Sequence, residues 1–104
     1  MTAKYPPIID PQSDGRDRPK NPMAVIDVGT TSVRMLVAQV DGSGQVNQLE
    51  SLQQAVTLGK DTFTKGYIER ETTEECVTAL KSFCRLLREY HIEPESRQVR
   101  AVAT

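Results

Sequence analysis

The chain has 104 residues, 38% of them hydrophobic and 26% charged, which suits one small globular domain. Its formal net charge of −1 argues against nucleic acid or an anionic membrane as the main partner. No apolar run is long enough to cross a bilayer and residues 1–22 lack the apolar centre of a secretory signal, so we predict a cytoplasmic protein.

The N-terminal stretch, residues 1–22, is rich in proline and charged residues. Each proline removes a backbone donor and disfavours helix in the residue before it. Ile8 and Ile9 give the stretch little apolar surface to bury. We therefore predict a disordered leader over residues 1–22 and a folded unit over residues 23–104.

Three strands are predicted next. The first begins at Met23 with the sequence MAVIDV, whose apolar run suits a strand buried on both faces. A tight turn at Gly29–Ser32 leads into a second strand over residues 33–40. Asp41–Gly44 is a hairpin signal, and a third strand is expected within residues 45–58. The order predicts an antiparallel meander.

A loop over residues 59–68 and then a helix are predicted after the strands. The helix begins with Thr72-Thr73-Glu74-Glu75, which matches a capping box for the free N–H groups of the first turn. Apolar residues then recur at the three- and four-residue spacing of a helix face. This stripe consists of Val77, Leu80, Cys84 and Leu87, widened by Cys76, Phe83 and Tyr90.

The two cysteines of the helix are expected to be free. Cys76 and Cys84 lie eight positions apart in the sequence, which at ~1.5 Å per residue separates their backbones by roughly 12 Å. A disulfide needs Cα atoms within about 7 Å. We therefore interpret both as small packing residues. For His91, at the helix end, a capping or solvated role is favoured over catalysis.

The chain ends on a fourth predicted strand, residues 97–103, after Pro94 has ended the helix. A strand reached through a helix returns parallel to a neighbour in the same sheet, so we expect it beside the first strand. The order βββαβ predicts an α/β fold with a mixed sheet. Because the sequence stops at Thr104 directly on this strand, we expect a truncated piece of a larger protein.

The turn after the first strand contains the residues that suggest a binding site for an anion. Glycine lets an anion approach the main chain, successive turn N–H groups can form an anion nest, and an arginine adds a forked cationic donor. A carboxylate at the strand end suits Mg²⁺ that also takes phosphate oxygens. The alternative is an ordinary turn in which the carboxylate caps backbone N–H groups. The predicted phosphate-binding residues are Gly29, Thr30, Thr31, Ser32 and Arg34, and the predicted metal ligand is Asp27.

Residues 24–40, AVIDVGTTSVRMLVAQV, resemble the first phosphate loop of the actin, sugar kinase and hsp70 ATPase superfamily. Sugar and glycerol kinases carry a similar Asp-x-Gly-Thr-Thr-Ser. The exopolyphosphatase and guanosine pentaphosphate phosphohydrolase (Ppx/GppA) family carries Asp-x-Gly-Ser-Asn-Ser-x-Arg-Leu. Residues 56–68 and 74–90 also resemble segments of the Ppx/GppA family, and residues 99–104, VRAVAT, resemble its fourth strand. The ordered blocks favour the Ppx/GppA family.

This resemblance implies the first part of a ribonuclease H-like, actin-like ATPase domain. The enzyme would use Mg²⁺ to cleave terminal phosphoanhydride bonds of polyphosphate or guanosine pentaphosphate. The full-length protein would be able to form a homodimer. The resemblance places Gly59 and Lys60 near the ligand side of the cleft. It carries the phosphate-contacting role onto Asp27, Gly29, Thr30, Thr31, Ser32 and Arg34. The family's general-base glutamate would follow Thr104 and the second phosphate loop would come later, so we expect the isolated chain to be inactive.

Two alternatives stay open. Thr30-Thr31 stands where the family has Ser-Asn, and the lost amide keeps an ATP-dependent sugar-type kinase in consideration. That alternative does not account for the later blocks. A non-enzymatic alternative is a phosphate-binding remnant, or a domain that pairs its open strand edge with another chain.

Overall fold

The structure, a computed structural model, describes residues 22–104, so the predicted leader lies outside the described residues except for Pro22. The elements in chain order are strands β1 (Pro22–Val28), β2 (Ser32–Val40) and β3 (Val46–Ala55), helices α1 (Leu58–Lys65) and α2 (Arg70–Glu89), and strand β4 (Val99–Ala103). The strands form one sheet in the order β3-β2-β1-β4. β1, β2 and β3 pair antiparallel, and β4 pairs parallel to β1. The predicted meander, the parallel return and the mixed α/β fold are confirmed.

One face of the sheet packs against α2. The side chains alternate along each strand, so every second residue of β1 and β2 faces the helix. The buried cluster between sheet and helix includes Ala24, Ile26, Val33, Met35, Val37, Cys76, Phe83 and Leu87. Neither helix within residues 22–104 has the length and apolarity required to cross a membrane.

The other side of the sheet, which we call the open face, differs from the prediction. β1 is not buried on both faces, because Met23 and Val25 are 47% and 43% exposed. Leu36 and Val102 lie on the same face and are also exposed. The continuous apolar run therefore reflects one covered face and one that no described residue covers.

The predicted loop over residues 59–68 is wrong, because most of it belongs to α1. Two threonines, residue types with weak helix propensity, lie within this helix and donate to carbonyls four residues earlier. The Thr62 hydroxyl donates to the Leu58 carbonyl at 2.9 Å, and the Thr64 hydroxyl donates to the Lys60 carbonyl at 2.8 Å. Gly66 then ends the helix in the left-handed conformation, with φ of 74°.

The predicted capping box at the start of α2 is also wrong. The helix begins at Arg70, and its N-cap, Glu69, makes no side-chain capping bond. The Thr72 hydroxyl donates instead to Oδ2 of Asp61 at 2.6 Å, and the Glu69 N–H donates to the same oxygen at 3.0 Å. A carboxylate from α1 therefore does the work that the sequence pattern assigned to Glu75.

The buried face of α2 is rotated relative to the predicted stripe. Cys76, Phe83 and Leu87 are buried as predicted, together with Ala79. Val77, which the prediction placed in the stripe, is 42% exposed. Both cysteines of the helix are free thiols, as expected.

α2 ends at Glu89, and Tyr90 and His91 follow it. His91 takes a positive φ of 59° in the left-handed region, and its side chain is exposed, which agrees with a solvated residue at the helix end. The Ile92 N–H then bonds to the Leu87 carbonyl at 2.9 Å, which buries Ile92 under the helix. β4 begins at Val99, two residues later than predicted.

Candidate functional site

The predicted phosphate-binding turn joins the end of β1 to the start of β2, the two central strands of the sheet. The Gly29 N–H donates to the Ser32 carbonyl at 2.9 Å and closes the turn, with Thr30 and Thr31 exposed at its tip. Within residues 22–104, no hydrogen bond uses the N–H groups of Thr30 and Thr31. These two groups are therefore the backbone donors that the turn offers to an anion, with their hydroxyls beside them.

The carbonyl groups of the same turn are bonded to the segment that leads from β3 into α1. The Thr30 carbonyl accepts the Gly59 N–H at 2.8 Å, and the Thr31 carbonyl accepts the Val56 N–H at 3.0 Å. A Cβ on Gly59 would lie 2.7 Å from the Thr30 Cβ, so only glycine allows this approach. The two bonds tie the turn to the segment at the start of α1, while the N–H groups of Thr30 and Thr31 have no partner among residues 22–104.

Asp27 and Arg34 lie opposite each other where β1 and β2 meet, on the open face of the sheet. Among residues 22–104 no ion pair joins them, and Arg34 Nε instead donates to the Ser32 hydroxyl at 3.3 Å. Oδ1 of Asp27 is buried and has no hydrogen-bond partner. A buried carboxylate oxygen without a partner is costly, which marks it as a place for a missing donor or cation.

The donor set at Asp27 fits Mg²⁺ better than a metal that needs an all-protein cage. No group of three or more histidine, cysteine or acidic side chains within the described part of the chain could hold a metal. Mg²⁺ commonly takes one or two carboxylates and completes its shell with water and substrate phosphates. Asp27 is therefore a suitable single carboxylate for Mg²⁺, a role that stays a prediction.

A cavity of about 900 Å³ lies beside the turn. Its glycine and polar lining residues are Gly29, Thr30, Thr31, Gly59, Lys60, Thr62 and Thr104. The other predicted residues, Asp27, Ser32 and Arg34, do not line it and lie toward the open face. The predicted site residues therefore fall into two groups, one that lines the cavity and one that lies toward the open face. The structure also shows that α1 contributes residues to the cavity. The glycine that docks α1, Gly59, is visible in the sequence, but its contact with the turn is not.

A second cavity, of about 640 Å³, lies between β3 and α2 and holds none of the predicted residues. Its lining includes Glu71, Glu74 and Glu75. Three carboxylates at one opening repel a phosphate, so the cavity beside the turn is the better candidate for an anion.

The charged residues of α1 differ in whether another residue bonds to them. Hydrogen bonds from the Thr72 hydroxyl and the Glu69 N–H hold the pKa of Asp61 below its ordinary value of 3.8, with help from nearby lysines. Lys65 is paired with Glu69, and this bond raises the pKa of the lysine. Lys60 is exposed and forms no ion pair with any residue of the range 22–104.

Comparison with known proteins gives structural neighbours only, because the sequence matches no family model and no curated protein. A crystal structure of the Aquifex aeolicus member of the Ppx/GppA family has a TM-score of 0.70 and 29% identity over 79% of this chain. A structure of the Aquifex aeolicus PPX-GPPA enzyme gives 0.67 and 28% over 79% of the chain. An exopolyphosphatase from Cytophaga hutchinsonii gives 0.64 and 29%, also over 79%. The chain spans about a quarter of their length, namely 25%, 26% and 24%.

Proposed function

Because the chain belongs to the Ppx/GppA family, we propose that it forms the phosphate-gripping part of a phosphoanhydride hydrolase. Its substrate would be polyphosphate or guanosine pentaphosphate, cleaved at the terminal bond. The observation that carries this proposal is the β1–β2 turn, where the N–H groups of Thr30 and Thr31 have no partner within residues 22–104. A turn with free donors beside a cavity is suited to bind phosphate oxygens.

Each residue of the turn has a proposed task. The N–H groups and hydroxyls of Thr30 and Thr31 bind oxygens of the terminal phosphate and orient it. Asp27 holds Mg²⁺ through Oδ1, which has no protein partner among the described residues. The bound ion would neutralise phosphate charge and favour attack by water. Arg34, one strand away from Asp27, adds positive charge on the same side of the sheet.

The residues described here support binding more directly than bond cleavage. Asp27 is committed to the cation in this proposal, and we assign no general base within residues 22–104. The chain spans about a quarter of its structural neighbours, so hydrolysis is proposed for the whole protein and binding for the chain. We propose that the 104-residue chain alone does not hydrolyse the ligand.

The test is an activity assay of the protein encoded by the entire open reading frame that contains these residues. The protein is incubated with Mg²⁺ and either polyphosphate or guanosine pentaphosphate, and released orthophosphate is measured. Asp27→Asn is expected to lower the rate by about 100-fold, on the scale of a lost electrostatic contact to the reacting phosphate. Asp41→Asn is the matched control, because Asp41 lies in the β2–β3 turn and is exposed.

An ATP-dependent sugar-type kinase is the second candidate, favoured by Thr31, where the Ppx/GppA pattern has asparagine. The same protein is therefore incubated with ATP and glycerol or hexoses, and ADP formation is followed. Sugar-dependent ADP formation without orthophosphate release from polyphosphate or guanosine pentaphosphate would replace the hydrolase proposal with the kinase.

A further inference from the structure

We propose that Lys60 is a phosphate-binding residue of this site and that it selects for condensed phosphates, an inference that rests on the proposed function of the β1–β2 turn. Lys60 lines the same cavity as Gly29, Thr30 and Thr31, although it belongs to a different element. It is the one charged side chain among the described residues that line this cavity.

The position of Lys60 follows from its neighbour. The Gly59 N–H bonds to the Thr30 carbonyl at 2.8 Å, and the missing side chain of Gly59 lets the two backbones meet. The first turn of α1 is thereby held against the phosphate-binding turn. Lys60, the next residue, lines the same cavity as Thr30 and Thr31.

The charge of Lys60 is available to a ligand. Asp61, the adjacent acid, is buried and directs Oδ2 toward Thr72 and Glu69 of the α2 start. Lys65, the other lysine of α1, is already paired with Glu69. Lys60 is exposed and forms no ion pair with a carboxylate of residues 22–104, although the charge of Asp61 lies close enough to interact with it.

Donors from two elements, the β1–β2 turn and α1, favour a ligand with more than one phosphate. The N–H groups of Thr30 and Thr31 bind one phosphate group, and Lys60 contacts a second group linked to it. A single orthophosphate held by the turn gains little from the lysine, whereas tripolyphosphate gains a charge-assisted contact. Lys60 therefore acts on affinity for the chain of phosphates more than on affinity for one phosphate.

The test compares tripolyphosphate with orthophosphate by isothermal titration of the 104-residue chain in the presence of Mg²⁺. Lys60→Gln is expected to weaken tripolyphosphate binding roughly tenfold and orthophosphate binding less than about twofold. Lys60→Arg is expected to keep most of the tripolyphosphate affinity. Lys81→Gln is the matched control, because Lys81 is exposed on α2 and its loss changes the net charge equally.

The outcomes separate this inference from the proposed function. If the wild-type chain binds tripolyphosphate and Lys60→Gln binds it equally well, the role of Lys60 is overturned while the turn keeps its function. An equal loss in Lys81→Gln would reduce the effect to net charge and also overturn it. If a folded wild-type chain, checked by circular dichroism, binds neither ligand, both proposals are overturned.

Discussion

The backbone N–H of Gly59 donates a hydrogen bond of 2.8 Å to the carbonyl of Thr30, which joins α1 to the β1–β2 turn. A Cβ at position 59 would approach the Thr30 Cβ to 2.7 Å, so a side chain there must displace the turn. We predict that Gly59→Ala weakens tripolyphosphate binding by about tenfold. Isothermal titration measures the affinity, and circular dichroism measures the retained helix content.

Gly42→Ala is the control for that substitution, because a Cβ at Gly42 meets no atom within 4 Å. Alanine also raises helix propensity at position 59 by about 1 kcal/mol relative to glycine. Weaker binding without loss of helix would therefore isolate the displaced turn. Wild-type affinity in Gly59→Ala would show that the contact with Thr30 does not position the site.

The face of α2 that is buried can be tested with two apolar residues of the same helix. Leu87 is fully buried in the cluster against the sheet, whereas Val77 is 42% exposed. We predict that Leu87→Ala lowers the free energy of unfolding by about 2–5 kcal/mol and that Val77→Ala changes it by less than about 1 kcal/mol. Urea unfolding measures both. Comparable losses would restore the stripe centred on Val77 and Leu80.

Tyr90 ties the end of α2 to β3 through its hydroxyl, which donates to Oε2 of Glu50 at 2.9 Å. Burial, followed by this bond, raises the pKa of Tyr90 above its ordinary value of 10.0. Tyr90→Phe leaves the buried Glu50 carboxylate without that donor, and we predict a loss of about 1–3 kcal/mol in unfolding free energy. Glu50→Gln, which keeps an acceptor for the hydroxyl, is predicted to cost less. Equal stability of wild type and Tyr90→Phe in urea unfolding would contradict this.

The pH dependence of stability follows from Asp61. Its pKa in the folded protein lies below the ordinary 3.8, first because the Thr72 hydroxyl bonds to its carboxylate. A lowered folded pKa adds stability above the unfolded pKa, and that stability is lost as the pH falls through the folded pKa. We predict that the unfolding midpoint drops on acidification below about pH 4.

Asp61→Asn should flatten this acid dependence without removing it. Asp41 also has a lowered pKa, chiefly because the Ser43 hydroxyl bonds to it in the β2–β3 turn. Thermal unfolding followed from pH 7 to about pH 2 compares the wild type with Asp61→Asn. Parallel curves for the two proteins would exclude Asp61 as a source of the acid sensitivity.

The strands and their order could be predicted because the signals are local. Glycine-containing turns and apolar runs predict the meander, and a helical connection predicts the parallel return of β4 beside β1. The Asp41–Gly44 turn formed as expected, with Asp41 Oδ1 accepting the N–H groups of Ser43 and Gln45. These elements need no information from distant residues.

The errors lie where a distant residue decides the local structure. The sequence pattern pairs Thr72 with Glu75 in a capping box, but the Thr72 hydroxyl donates to Asp61, eleven residues earlier on another helix. The sequence does not predict α1, because glycine and threonine weaken its helical pattern. The contact between Gly59 and Thr30 is tertiary, so the sequence predicts candidate phosphate-binding residues in the turn but not the part of the cavity that α1 forms beside them.

The central claim is that the β1–β2 turn binds condensed phosphate together with Mg²⁺ held by Asp27. The most direct measurement is titration of the chain with tripolyphosphate, with and without Mg²⁺, for the wild type and Asp27→Asn. We predict that Mg²⁺ tightens wild-type binding at least about tenfold and leaves Asp27→Asn unchanged, because the variant lacks the carboxylate that holds the ion. The same Mg²⁺ dependence in both proteins, or none in either, would contradict the claim.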